Sequence, residues 1–180
     1  MPTADASRLD TARLTLRRPR AADAERLFAA YAGDVEVTRY LSWPRHRTLD
    51  QTRAFLQFSD DEWARWPAGP YLVEERASGA LVGGTGLAFE TPWRASTGYL
   101  FARGAWGRGY ATEVLTAMVE LARVHRVIRL YALCHVEHQA SRRVLERGGF
   151  VCEGLLRRYM VFPNLGSGPC DTWSYSRILS

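Results

Sequence analysis

A chain of 180 residues, 47% hydrophobic and 24% charged, has the make-up of one soluble globular domain with a single sizeable core. Its formal net charge of +5 comes from basic residues that are all arginine; they are scattered, which suits anionic partners such as nucleotide phosphates but not a dedicated nucleic-acid-binding segment. No apolar run reaches the roughly 20 residues that cross a bilayer, and the start MPTADASRLD has neither the basic nor the apolar region of a secretory signal. Cys134, Cys152 and Cys170 lack metal-ligand spacing, and their odd number argues against a disulfide framework, so they read as small buried hydrophobes in a cytoplasmic protein.

In chain order, residues 1–9 read as a short lead-in and 10–180 as one domain. ARLTLRRP alternates apolar and polar residues up to Pro19 and predicts a strand. DAERLFAAYAG predicts a helix begun near Asp23, with Leu27, Phe28 and Tyr31 on its apolar side and Gly33 as its stop. A second helix follows in TLDQTRAFLQFSDDEW, with Thr48 as N-cap and Leu49, Phe55, Leu56 and Phe58 as core contacts. Three strands, the first two joined by a hairpin at Ser78-Gly79, fill YLVEERASGALVGGTGLAFE and STGYLFAR. The helix ATEVLTAMVELARVH carries Val114, Leu115, Met118, Leu121 and Ala122 at helical spacing. A strand, the helix QASRRVLERGG and two closing strands complete the chain. The order implies an α+β sandwich of a mixed sheet covered by helices.

Between strand and helix, ARGAWGRGYATEV places glycines in front of a helix N-terminus. Such an end presents unpaired backbone N–H groups and a positive dipole to an anion. Gly107 and Gly109 leave room for phosphate oxygens, Arg108 can reach a further phosphate, and Thr112 lies on the first turn. A plain turn requiring glycine at positive φ explains the same letters. The stretch lacks the G-K-[ST] of a Walker A loop and the third glycine of a dinucleotide fingerprint.

WGRGYATE resembles the acyl-CoA pyrophosphate loop of the GNAT N-acetyltransferases, in particular the branch typified by ribosomal-protein alanine N-acetyltransferases, with Trp106 opening the loop. HQASRRVLERGGF is similar to that branch's helix-and-strand motif, and RLTLRRPRAADAERLF, GALVGGTGL, TGYLF and the closing EGLLRRY and DTWSYSRIL fit the same template, over roughly residues 10 to 179. The resemblance implies a mixed, mostly antiparallel sheet of about seven strands with a V-shaped splay and about four flanking helices. Acetyl-CoA would be the acyl-donating cosubstrate, with no metal. Its pantetheine would pair with backbone groups of Leu100, Phe101 and Ala102, while Trp106, Gly107, Arg108, Gly109, Tyr110, Ala111 and Thr112 would cradle the pyrophosphate. Ser141, matching a family serine, would protonate the leaving thiolate, and His138 and Arg142 would contact the cofactor arm, His138 standing where the family has Asn. Leu145 replaces a tyrosine that protonates the thiolate in many relatives.

The base that deprotonates the amine is open, because the central strand reads STGY where some relatives carry Glu; Glu90, Glu153 and Asp171 are the carboxylate candidates. An α-amine, with pKa about 8, needs less help than a lysine at about 10.4. Trp43, Trp63, Trp66 and Trp93 would wall the acceptor cleft. The expected activity is direct acetyl transfer to a primary amine, preferably a protein N-terminal α-amine. A small-molecule amine as acceptor, a non-catalytic acyl-CoA-binding or sensing module, and a nucleotide-binding domain are the alternatives. Neither nucleic acid nor membrane is an expected partner, and homodimerisation is left open.

Overall fold

The computed structural model describes residues 6–179. Eight strands form one sheet in the order β1-β2-β3-β4-β5-β6-β8-β7. Strands β1 (Arg8–Asp10), β2 (Leu14–Arg17), β3 (Pro70–Glu75), β4 (Leu81–Thr91) and β5 (Arg94–Phe101) are successively antiparallel. β6 (Arg129–His135) is parallel to β5, and β8 (Pro169–Ile178) lies antiparallel between β6 and β7 (Val151–Val161). Helices α1 (Ala24–Leu27), α2 (Val35–Thr38), α3 (Leu49–Arg65), α4 (Tyr110–Val124) and α5 (Gln139–Arg147) pack around it.

This is the expected α+β sheet with one strand more than anticipated. β1 begins at Arg8, inside the stretch read as a lead-in, and Arg18 N–H donates to the Ser7 carbonyl at 2.8 Å. The first predicted helix is a continuous turn of mixed pitch: a 3₁₀ turn (Ala21–Asp23), α1, and a wide turn (Phe28–Ala32) closed where Gly33 N–H reaches the Phe28 carbonyl. Thr48 caps α3 as expected, in a reciprocal capping box with Gln51. The buried stripe of α3 is Thr52, Leu56 and Ser59. Phe58 falls off that phase and is 52% exposed, so it supplies no core contact.

α4 carries the core. Val114, Leu115, Met118, Leu121 and Ala122 all bury against Leu130, Ala132 and Tyr175 of the sheet. Of the cysteines only Cys134 is buried; Cys152 is exposed, so its predicted core role does not hold. At the outer edge, β7 is interrupted by register shifts after Cys152 and after Leu156, and Arg158 sits there at φ 45°.

One polar cluster underpins the first layer. Arg17 reaches both Asp23 oxygens, at 2.7 and 2.8 Å, and Glu74 at 2.9 Å, while Asp23 also accepts from Arg20 N–H. Burial alone would raise the Asp23 carboxyl, but Arg17 and the Arg20 amide outweigh it and hold the group below its usual value. A depressed carboxyl stabilises the fold above its unfolded pKa of about 3.9 and loses that contribution as pH falls through the folded value. Asp23→Ala, which leaves Arg17 with Glu74 alone, is expected to cost about 2–3 kcal/mol; urea unfolding at pH 7 measures it, and the deficit should shrink below pH 4.

Candidate active site

β5 and β6 pair only from Arg94–Ser96 to Arg129–Tyr131. Beyond that point each continues as a strand held on its other side, β5 by β4 as far as Phe101 and β6 by β8 as far as His135. The sheet therefore splits, as the resemblance implied. A cavity of about 410 Å³ opens in the split, walled by Thr97–Leu100 of β5 and Ala132–His135 of β6.

From β5 the chain turns into α4 through the glycine loop. Gly107 and Gly109 adopt φ of 75° and 77°, so both require glycine for their backbone conformation. A Cβ at Gly107 would meet nothing within 4 Å, and one at Gly109 only the Arg13 guanidinium at 3.5 Å. The space in front of the loop is therefore open. The first bond of α4 is Glu113 N–H to the Gly109 carbonyl, at 3.2 Å. Among the described residues no protein group accepts from the N–H groups of residues 107 to 112. Such a run of unspent donors, with a helix dipole behind it, fits a pyrophosphate.

Side chains around the loop are already engaged. Arg108 pairs with Glu75 at 2.9 Å, and Tyr110, buried, donates its hydroxyl to the same carboxylate at 2.5 Å. Arg13 donates to the Arg108 carbonyl at 2.8 Å, pairs with Glu113 at 2.7 Å, and lies over the Tyr110 ring. Trp106 donates its indole N–H to the Phe101 carbonyl at 2.6 Å, and Ala102 N–H donates to the Val82 carbonyl at 2.9 Å. Those two backbone groups are thus spent inside the protein, and Leu100 is the residue of the expected trio that lines the cavity. Arg142 turns away from it, bonding the Tyr175 hydroxyl at 3.1 Å and covering Trp173.

Ser141 stands in the first turn of α5 and faces the cavity. Tyr99, reaching across from β5, brings its hydroxyl to 3.1 Å from both the Ser141 Oγ and the Ser141 carbonyl. Burial pushes the Tyr99 phenol up, so it stays protonated. Leu145 cannot supply a hydroxyl, but Tyr99 places one beside Ser141 from another element. Its motif TGYLF was visible in the sequence; the pairing, 42 residues apart, was not.

The carboxylate candidates lie elsewhere. Glu153 is bound by Arg129 at 2.8 Å and by the Ser176 hydroxyl at 2.7 Å, and the Arg129 hydrogen bond is the main reason its pKa falls to about 2. It does not line the cavity and is a poor proton acceptor. Glu90 pairs with Arg94 at 2.6 Å and accepts from the Tyr131 hydroxyl; it borders the cavity only through that tyrosine. Asp171 accepts from Arg158 N–H at 2.8 Å, outside the lining.

Among the described residues, none lining the cavity is Asp, Glu, Lys or Arg. Its polar side-chain groups are hydroxyls, the Cys134 thiol, the Trp43 indole N–H and three imidazoles. Tyr40 stacks with both His135 and His138, its ring centroid 5.1 and 4.7 Å from theirs. Burial lowers the pKa of His46, His135 and His138 alike. The His135 Nδ1 accepts from Glu137 N–H at 3.2 Å, which puts its proton on Nε2, and the His46 Nδ1 contacts the Thr52 hydroxyl at 2.9 Å. The His138 ring has no hydrogen-bond partner among the described residues.

Of the four tryptophans expected at the acceptor cleft, Trp43 lines the cavity. Trp63 packs on Tyr71 and bonds the Pro70 carbonyl, Trp66 stacks on Phe89, and Trp93 lies exposed under Arg94. Sequence reasoning missed Asn164, which ties the mouth together. Its amide donates to the carbonyls of Thr38 and Trp43 at 2.7 and 2.9 Å and accepts from Arg45 N–H at 2.8 Å, fastening the 38–45 loop to the β7–β8 connection.

Comparison with known proteins agrees with this geometry. A domain model described as an acetyltransferase (GNAT) domain matches residues 13–151. The chain is 32% identical over 176 residues to the uncharacterized N-acetyltransferase YoaA of Bacillus subtilis (strain 168), covering 93% of this chain and 94% of that protein. Its fold is similar to that of RimL, a ribosomal L7/L12 alpha-N-protein acetyltransferase solved with coenzyme A (TM-score 0.81, 23% identity, 94% of this chain and 96% of that one). It is also similar to the microcin C7 self-immunity acetyltransferase MccE, solved with acetyl-CoA and AMP (TM-score 0.82, 18% identity, 94% of each chain).

Proposed function

The chain belongs to the GNAT acetyltransferase family, and from that premise we propose that it transfers acetyl from acetyl-CoA to the α-amine of a polypeptide N-terminus by direct attack. The carrying observation is the cavity itself: nothing that lines it among the described residues bears a carboxylate to hold a cation. An ammonium entering such a space gives up its hydration without a counterion, so the site favours an amine that loses its proton cheaply. At pH 7 an amine of pKa about 8 is neutral roughly 200 times more often than one of about 10.4. RimL, of similar fold, is an alpha-N-protein acetyltransferase, and MccE, solved with AMP beside acetyl-CoA, keeps a small-molecule acceptor as the alternative.

In this reading the donors of residues 107 to 112 hold the diphosphate of the cosubstrate, and the thioester end enters the split beside Leu100. The structure's open loop and unspent amides support that fit. His138, whose ring is unbonded and whose lowered pKa keeps it neutral at pH 7, accepts the proton of the amine. The amine nitrogen forms its bond to the carbonyl carbon as the carbon–sulfur bond breaks. Ser141 passes a proton to the departing sulfur, Tyr99 holds that hydroxyl in place through its hydrogen bond, and the proton taken by His138 returns through solvent to restore the serine.

Release of free thiol from acetyl-CoA, followed with an Ala-initiated peptide, spermidine and an N-terminally blocked lysine peptide, tests the assignment. The free α-amine should show a kcat/KM at least about 100-fold above the other two. A spermidine or lysine rate equal to it overturns the α-amine reading. Thiol release with none of the three, despite acetyl-CoA binding, overturns catalysis in favour of an acyl-CoA-binding module.

A further inference from the structure

The mouth of the cavity differs from its interior. The elements that frame it carry Arg39, Arg45 and Arg47 on the 38–48 loop, and Arg157 and Arg158 on β7 just before Met160, itself a cavity-lining residue. None of these five forms a salt bridge among the described residues, whereas Arg13, Arg17 and Arg108, elsewhere on the molecule, pair with Glu113, Asp23 and Glu75. Arg39, Arg47, Arg157 and Arg158 are exposed. Arg39 lies over the Tyr40 ring that lines the cavity, its Cζ 5.4 Å from the ring centroid. Arg45 is half-buried, its amide held by Asn164 and its guanidinium donating to the Gly33 carbonyl at 3.4 Å. Asn164, three residues beyond β7, binds the loop to the β7–β8 connection, so both groups of arginines lie on elements that frame the same opening. Three carboxylates share the neighbourhood against these five guanidinium groups: Asp171, which accepts from Arg158 N–H, Glu137 beside His135, and Glu36 in the turn of α2 that leads into the loop. The rim is left with an excess of positive charge around an uncharged throat.

The geometry points to an acidic polypeptide N-terminus as the acceptor: an uncharged first residue that enters the throat, followed by Asp or Glu residues that dock on the arginine rim. This deepens the α-amine reading and rests on it. Guanidinium groups in water attract carboxylates over roughly 10 Å at 0.1 M salt, enough to steer an extended segment whose first residue is already committed to the cavity. They also disfavour a basic segment at the same place. Charge that acts at an exposed rim raises the association rate more than it slows dissociation.

Three peptides that share an N-terminal alanine and differ only at positions two to five, acidic, neutral or basic, separate the possibilities. The expected kcat/KM order is acidic over neutral over basic, with about a ten-fold step between acidic and neutral that shrinks to under three-fold when NaCl rises from 50 to 500 mM. In Arg39→Gln/Arg157→Gln the acidic-to-neutral ratio should fall to below three at low salt. Equal rates on all three peptides, or a preference for the basic one, overturns the rim while leaving the α-amine reading in place. Failure of every peptide, with thiol release from another amine, overturns that reading instead.

Discussion

Gly109→Asp is expected to weaken coenzyme A binding by at least 100-fold while the protein remains folded. Three effects act in the same direction. The new carboxylate stands at the head of α4, among the unspent N–H groups, where its charge opposes a diphosphate. It lies within reach of Arg13, whose guanidinium is 3.5 Å from the position of the added Cβ. An ion pair there would pull Arg13 from the Arg108 carbonyl and from Glu113, loosening the loop. Finally, a φ of 77° strains any residue with a Cβ, at about 1–2 kcal/mol, though Asp tolerates it better than most. Gly109→Asn isolates the charge, since it brings equal bulk and similar strain without a carboxylate, and should lose less than ten-fold. Calorimetric titration with coenzyme A gives both affinities, and thermal melts confirm folding. An Asp variant that binds as wild type overturns the placement of the diphosphate on this loop.

The second large effect concerns the proton of the amine. His138→Gln should lower kcat on an α-amine peptide by about 100-fold, the lower end of what a positioned base contributes, with acetyl-CoA affinity changed by less than three-fold. The pH dependence carries the sign. Burial, with the neighbouring His135, holds the imidazole below its ordinary 6.5, so it is a free base at pH 7 and becomes protonated only on acidification. Wild-type kcat should therefore fall as pH drops through a value below 6.5, and that limb should vanish in the variant. Persistence of the same limb, or an unchanged kcat, would remove His138 from the reaction. Gln preserves a flat polar group against Tyr40, which separates loss of the base from loss of packing.

Much of this was legible in the letters, and the reason is locality. The period of Val114, Leu115, Met118, Leu121 and Ala122 predicted a helix and its buried face, because a 15-residue amphipathic segment repeats its signal several times. Thr48, as an N-cap, announced the start of α3, and the structure adds a capping box with Gln51 confined to the same four residues. Short elements carry no such repetition: β1 and α2 have three and four residues and went unread. Phe58 was misjudged because hydrophobicity alone does not fix helical phase, and the stripe that buries runs through Thr52 and Ser59. The split between β5 and β6 was accessible only through the resemblance, since nothing in either strand's pattern shows where pairing stops. Least visible were contacts made across the chain. Tyr99 meets Ser141 over 42 residues and Asn164 meets Thr38 over 126, and a single polar residue in a strand or turn gives no local hint of its partner. The carboxylates misled for the same reason, for only the fold shows that Arg129 had already claimed Glu153.

β7 has a consequence for the life of the molecule among its own copies. An outermost strand offers its free ladder to any neighbour, and this one exposes Val151, Leu155, Tyr159 and Val161 along its length. Its two register shifts and the left-handed Arg158 interrupt and bend that ladder. Arg157 and Arg158 add charge that a second copy would have to bury against its own. An edge interrupted in this way pairs less readily with another strand than a straight one of the same length.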